Sequence, residues 1–412
     1  MRRIQLKIKA LSPLAIGRHK PGGSISEVET YIPGTVIRGA IAGLMIRQAN
    51  SEGIDFANDP DSDFKTLFID GGAIFQNAYP AIAEVSDDFQ VRSEVKFLPA
   101  TALSAKGKSG FRPKGNGVFD SLLDRFCAEQ FGQVYDPNCP VDGGRVDPVK
   151  GFYSSKQQQY AMHSTSTRLL TRVGINRSRA TAEDQILYST QVLEEFKRQN
   201  VPMVFSSNIL VVEALAQEFF QYLNHNANSL RLGGAVSRGL GKVELDLELR
   251  ETATDLGDRL TQFNTALKER WQLWKLFDGT KADPSQERLF FTIGLQSDAI
   301  LTEEWRRITV ISETMLRAAV GSSSENIRLE ASYSSYDYRS GWNTAWGLMK
   351  DTELMTDRGS VYLFSVDKRE AEHWITPLTE LENSGMGDRI AEGFGQVRVC
   401  DEFHSIFRER AV

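Results

Sequence analysis

Two pentapeptides of one form lie far apart in the chain, Gly239-Leu-Gly-Lys-Val243 and Gly393-Phe-Gly-Gln-Val397. Glycines at alternate positions permit positive φ and let another backbone come close. Their bare amides can receive phosphate oxygens or a nucleotide edge, and in the first copy Ser237, Arg238 and Lys242 add donors and charge. The copies superpose without a gap, each just before a segment that reads as a last strand, so the similarity reads as an internal repeat. A P-loop needs Gly-Lys-Ser/Thr opening a helix, whereas Gly241-Lys242 runs into Val243 and a strand. A dinucleotide fingerprint needs strand-turn-helix order, and here the order is helix-turn-strand. A tight turn before an edge strand remains the purely structural alternative. Because Arg238 and Lys242 correspond to Glu392 and Gln396, the first turn is expected to be the one that binds. The second is expected to be structural or to face a protein partner.

The net charge of −6 argues at first against a polyanionic partner, but the charge is segregated. Residues 148–182 contain no acid and hold Lys150, Lys156, Arg168, Arg172, Arg177 and Arg179. Residues 95–119 repeat the pattern with Lys96, Lys106, Lys108, Arg112 and Lys114. These stretches carry +6 and +5, which leaves −17 on the rest of the chain. A basic surface on an acidic body suits a polyanion-binding protein that avoids indiscriminate binding. Two solvated basic loops are the alternative.

Cleavage of RNA without metal needs an acid and a base near the 2′-hydroxyl and the leaving oxygen. His19, in Ile16-Gly-Arg-His-Lys20, is the best-placed histidine, with Lys20 and Tyr31 as possible helpers, and His163 comes second. His225, His373 and His404 read as surface or helix-end residues. Asp142, Asp147 and Asp184 read as solvated loop acids rather than a carboxylate cluster for a metal. Cys127 and Cys139, with only His163 nearby, fall short of a zinc set. Binding without metal or cofactor is therefore expected, with an endoribonuclease using His19, or a purely structural scaffold, as alternatives.

A chain of 412 residues suggests two domains, and 41% hydrophobic with 25% charged residues describes a soluble globular protein. No apolar run approaches the ~18 residues of a membrane span. Three cysteines fit a reducing compartment, so a cytoplasmic protein is expected. Ile4, Leu6, Ile8 and Ala10 alternate as a strand. After a Pro21–Gly23 turn, residues 36–45 repeat at helical spacing with Thr35 placed as the cap. Residues 67–75 and 201–211 read as strands, 213–223 as a helix and 243–249 as a strand. Setting aside an insertion at about 80–200, the order is β-α-β-β-α-β, the ferredoxin-like arrangement. Residues 255–277 read as a connecting amphipathic helix and 279–284 as a linker. The plan then repeats: strand 289–295, helix 303–320, strands 327–338 and 360–366, a helix over 369–381 disturbed by Pro377, and a closing strand 396–399. The expected class is α+β with two ferredoxin-like (RRM-like) units. The first spans 1–252, the connection 253–284 and the second 285–412.

Three elements in this order, Tyr31–Ala40, Thr171–Tyr188 and Ser237–Val243, resemble the RAMP superfamily, the repeat-associated proteins of CRISPR effector complexes. The second half, with Ser340–Asn343, Gly359–Phe364 and Ala391–Val397, resembles the two-unit members of the Cas-five group and is most similar to the type III-D subunit. The resemblance implies a protein of antiviral defence that holds the 5′ handle of a CRISPR guide RNA at the base of a ribonucleoprotein. Its neighbours would be a large polymerase-like subunit and backbone RAMP subunits, with target RNA met indirectly. By position, Arg38, Arg172, Arg177, Arg179 and Gly239–Lys242 match the superfamily's RNA-facing elements. Arg18, His19, Lys20 and Arg168 complete the expected RNA contacts. Phe152, Tyr153 and Tyr160 are either stacking or core residues.

Overall fold

The computed structural model describes residues 1–18, 27–56, 62–81, 94–156, 158–176, 181–197, 201–251, 255–321, 326–343 and 347–412. The Pro21–Gly23 turn, His19, Lys20, Arg177 and Arg179 lie outside them. The first half runs through β1 (Arg2–Ala10), α1 (Gly34–Ser51), β2 (Ala73–Phe75), a long hairpin of β3 (Thr167–Asn176) and β4 (Thr181–Leu193), β5 (Val204–Val211), α2 (Glu213–Asn226) and β6 (Val243–Arg250). Then come α3 (Leu256–Trp274), β7 (Arg288–Leu295), a small hairpin of β8 (Leu301–Glu303) and β9 (Arg306–Ile308), and α4 (Glu313–Val320). The chain continues with β10 (Arg328–Tyr333), β11 (Val361–Asp367), α5 (Ala371–Ser384) and β12 (Val397–Val399). Two antiparallel sheets result, in the orders β6-β1-β5-β2 and β10-β11-β7-β12. With the strands of each sheet counted in chain order, both sheets run fourth-first-third-second.

The two sheets bury their faces differently, and their first strands show why. Ile4, Leu6 and Ile8 of β1 point into a core with Ile37 and Ile41 of α1 and Phe219 and Leu223 of α2. On the opposite face Lys7 and Lys9 pair with Asp246 and Glu244 of β6 at 2.9 and 3.2 Å. Strand β7 instead has an unbroken run, with Phe290, Phe291, Thr292 and Ile293 all buried. Phe291 meets Trp374 of α5, while Phe290 meets Phe126, and its backbone N–H and C=O are both bonded by Asn264 of α3. The expected connecting helix α3 is thus a core element, with Leu260, Phe263, Leu267 and Trp271 buried.

The expected insertion divides. Hairpin β3–β4 stays with the first sheet, joined through Leu193 to Leu14 by two backbone hydrogen bonds of 3.0 and 2.9 Å. Residues 95–163 lean the other way. Asp124, on the helix Leu122–Gln130, takes a fork of hydrogen bonds from Arg270 of α3, both 2.8 Å, and a third from Trp274. The C-terminal tail clasps this segment: Val118 and Val412 exchange backbone hydrogen bonds, Tyr153 donates to Asp401, and His404 lies 2.6 Å from Asp120.

Several local expectations need correction. Residues 67–75 are not one strand: the helix Asp63–Phe68, capped by Ser62, ends before Gly71, whose φ of +79° turns the chain into β2. Thr35 does not cap α1. The N-cap is Pro33, and the Gly34 N–H is taken by Asn77 Oδ1 at 2.8 Å. Residues 303–320 are not one helix, because the β8–β9 hairpin occupies their start and Ser312 caps a shorter α4. Residues 327–338 split into β10 and a strand Tyr336–Arg339 that pairs with Glu353–Thr356. Helix α5 runs through Pro377. Among the described residues, no helix is long and apolar enough to cross a membrane.

The halves meet at a buried seam. Asn77 accepts from Gly34 at the start of α1 and donates to Gly393 O at 3.1 Å, and Tyr79 donates to Gln296 O. Beside it the Arg358 guanidinium lies 4.4 Å from the Tyr31 ring centre, 5.2 Å from Phe97 and 5.5 Å from Phe152. Asp298 lies 3.6 Å from Arg358 and 2.8 Å from Arg339, which also reaches Glu29.

Two predictions follow from these contacts. Asn77→Ala leaves a buried donor and acceptor unmatched and should lower unfolding free energy in urea by about 1–3 kcal/mol; an unchanged midpoint would contradict the seam. The second concerns His404. Burial opposes charge on its imidazole, but the Asp120 carboxylate outweighs burial and the pKa is raised. With the folded-state pKa above the unfolded value, this pair's stability is complete below about pH 6.5 and is lost as pH rises through the folded-state pKa. Asp120→Asn should therefore flatten the decline in stability above about pH 6.5, as read by denaturant unfolding across a pH series. Equal slopes in both proteins would be inconsistent with the pair.

Candidate nucleic-acid interface

The two glycine turns adopt one backbone course. In the first, Ala235 (φ 56°) enters a 3-10 turn over Val236–Arg238, and Gly239 and Gly241 follow at φ 83° and 84°. In the second, Arg389 (φ 57°) enters Ile390–Glu392, and Gly393 and Gly395 follow at 93° and 65°. The anchors also repeat. Gly241 donates to Pro13 O at 3.0 Å and Gly234 to Ala15 O at 2.8 Å, as Gly395 donates to Asp298 O and Asp388 to Ile300 O, both at 2.9 Å. A Cβ at Gly241 would lie 2.6 Å from Leu232 O, and one at Gly395 would lie 1.8 Å from Met386 O. These second glycines are required by close backbone approach.

The first glycines differ. A Cβ at Gly393 would meet Asn77 Oδ1 and Phe75 O at 2.8 Å, whereas one at Gly239 would meet nothing within 4 Å. The second turn is packed on the start of α1, and the first is open.

Hairpin β3–β4 comes to that open turn. Arg172 and Tyr188 are opposite each other in the hairpin register. Arg172 Nη2 donates to Arg238 O at 3.3 Å, and Arg238 Nη1 donates to the Tyr188 hydroxyl at 2.9 Å with its guanidinium 5.6 Å from the ring centre. Arg238 and Tyr188 are exposed and Arg172 is half-buried, with Ser237, Gly239 and Lys242 exposed beside them. Two guanidinium groups and an aromatic ring together can hold phosphate oxygens and stack an unpaired base. Tyr188, at the end of the Thr171–Tyr188 motif, joins the candidate site through its register across the hairpin, which sequence reasoning does not reach.

Other expected residues lie elsewhere or are engaged. Arg38 donates to Phe68 O and lies over the Phe68 ring, and the Glu392 carboxyl, held low against burial chiefly by Arg389, is lowered further by Lys350 and Arg38. It therefore belongs to the seam, where the second turn covers the helix start. Arg168 pairs with Glu195 at 3.1 Å. Arg18 contributes its backbone to a short ladder with Glu27. Lys96, counted in a basic stretch, is half-buried against Asp401 at 3.4 Å and pairs with Glu402, while Lys106, Lys108, Arg112 and Lys114 are exposed. Phe152 and Tyr153 are core residues, and Tyr160 packs half-buried against Phe111.

The acid–base candidates are correspondingly reduced. Tyr31 is 5% exposed inside the Arg358 box, and burial raises its pKa. His163 is buried with Nε2 2.8 Å from Ser154 Oγ, and burial, aided by Lys197, lowers its pKa to about 4. His404 is buried, not a surface residue, because Asp120 supplies its partner. Asp142 is exposed and bonded to Asn116, and Asp147 pairs with Arg145. Among the described residues no group of His, Cys, Asp and Glu could hold a metal ion.

The glycines allow a direct comparison. Gly239→Ala meets only the left-handed backbone cost, about 1 kcal/mol, whereas Gly241→Ala adds a clash with Leu232 O and should destabilise by roughly 3 kcal/mol or more in thermal unfolding. Equal effects would refute the stated division of labour.

With this geometry in view, comparison with known proteins is informative at the level of family. No curated protein matches the sequence. Among solved structures, a chain of the cryo-EM structure of the Type III-B Cmr-beta bound to cognate target RNA and AMPPnP, state 1, is similar at 12% identity and a TM-score of 0.39, covering 91% of this chain and 93% of that one. A chain of the same complex bound to cognate target RNA gives 12% and 0.39 over 92% and 94%, and one from its apo state 12% and 0.28 over 60% and 96%. The profile described as the RAMP superfamily matches residues 7–244, a span that contains the start of α1, hairpin β3–β4 and the open glycine turn. On that match over more than half its length, the chain belongs to the RAMP superfamily.

Proposed function

We propose that this chain is a non-catalytic guide-RNA-binding subunit of a type III CRISPR effector, holding the 5′ repeat-derived handle at the base of the complex. The observation that carries the reading is the joining of hairpin β3–β4 to the open glycine turn through Arg172, Tyr188 and Arg238. The same turn in the second half, without Arg or Lys at the matching places, is packed away. An exposed basic turn fits a phosphate backbone, and an aromatic ring beside it fits an unpaired base. The fourth-first-third-second strand order of both sheets supports two ferredoxin-like units, 1–252 and 285–412, joined through 253–284. Within that reading the chain takes the place of a Cas-five-group subunit of type III-D character. Its partners are the large polymerase-like subunit and backbone RAMP subunits, and it meets target RNA only through the guide.

Phosphate contacts release counterions, so affinity should fall steeply with salt. In filter-binding titrations with handle RNA, Arg172→Ala with Arg238→Ala should weaken binding and reduce the salt slope by about 0.7 per lost contact. Adding Arg177→Ala and Arg179→Ala should weaken it further. Wild-type affinity in the four-fold variant would sink the proposal, and cutting of repeat RNA in chelator, abolished by His19→Ala, would replace it with a nuclease.

A further inference from the structure

The hairpin β8–β9 presents Trp305 at its tip, 100% exposed. Glu304 and Trp305 form the two-residue turn at φ 47° and 65°, a left-handed course that Asn-Gly pairs favour and a β-hairpin needs. An indole placed there is held away from every core. The strands beneath it are fixed: Leu301 is fully buried, Ile308 packs on the second core, and Arg307 reaches from the hairpin to Asp388 and Glu353. Thr302 adds a hydrogen bond to Asp388 at 2.8 Å. The result is a large apolar side chain on a rigid, strained mount.

The charge around it decides what it meets. Glu303, Glu304, Glu353 and Asp388 surround the hairpin against Arg306 and Arg307, so its surroundings are net acidic. Counted along the sequence from the Ala15–Gly234 bridge of the first half, as from Ile300–Asp388 here, Gly17-Arg18-His19-Lys20 stand where the second half has Thr302-Glu303-Glu304-Trp305. A polyanion suits the first and is repelled by the second. Desolvated tryptophan in a pocket is the typical anchor of a protein interface. We infer that Trp305 is a docking knob for a second, different protein, entering an apolar socket whose rim is lined with lysine or arginine.

This goes beyond the RNA-binding reading and fails separately from it. The full-length tagged chain, with Trp305 replaced by p-benzoylphenylalanine, is irradiated in its native cells and the adduct is sequenced. The expected adduct joins one protein, at a segment combining apolar and basic residues. Trp305→Ala and Glu304→Lys should each reduce co-purification of that protein at least about tenfold, while melting temperature and handle-RNA affinity stay at wild-type values. An adduct with RNA, an adduct with another copy of this chain, no adduct, or recovery unaffected by Trp305→Ala would each overturn the inference. Loss of RNA affinity in Arg172→Ala with Arg238→Ala leaves this test untouched.

Discussion

One carboxamide, that of Asn77, joins the start of α1 to the second glycine turn, and a caged guanidinium, Arg358, closes the ring of aromatic residues beside it. A buried polar group is costly unless matched, so these contacts tolerate little displacement of one sheet relative to the other. Tyr31, Phe97 and Phe152 come from the first half and its insertion, whereas Arg358, Asp298 and Arg339 come from the second. The seam therefore fixes which surfaces remain available for binding, and it takes up one of the two otherwise similar turns.

One structural device set in two unlike surroundings explains the asymmetry. Both turns keep the left-handed residue, the 3-10 segment and the close backbone approach. Their side chains and neighbours differ, so one turn faces Asn77 and the other faces hairpin β3–β4. The sequences that follow the first strand diverge in the same sense, with Arg18-His19-Lys20 in the first half and Glu303-Glu304-Trp305 in the second. Identical backbones can thus serve unlike partners when charge and packing are changed around them.

The central segment works as a clasp as much as an insertion. Asp124 and Arg270 bind residues 122–130 to α3, and the tail from Asp401 to Val412 wraps the same segment. Burial of both faces of β7 follows from this, since α3 and the helix Leu122–Gln130 cover the face that a sheet with helices on one side would leave open. The second core is consequently built from residues more than a hundred positions apart.

By itself, the sequence determined the features that depend on near neighbours. The alternation in β1, the helical repeats of α1 and α2, the paired glycine turns and the three RAMP elements were all legible, because strand and helix periodicity and glycine's freedom act over a few residues. Only the tertiary structure decided which charges and rings stay available. Lys96 meets Glu402, Arg38 is held on the ring and carbonyl of Phe68, and His404 is enclosed by Asp120, all through contacts that no local pattern contains. Tyr188 enters the candidate site only because the hairpin register sets it opposite Arg172 and the fold carries both to Arg238. The physical reason is one of range: secondary structure follows from neighbours along the chain, whereas burial, ion pairing and exposure depend on which distant segments arrive in the same place.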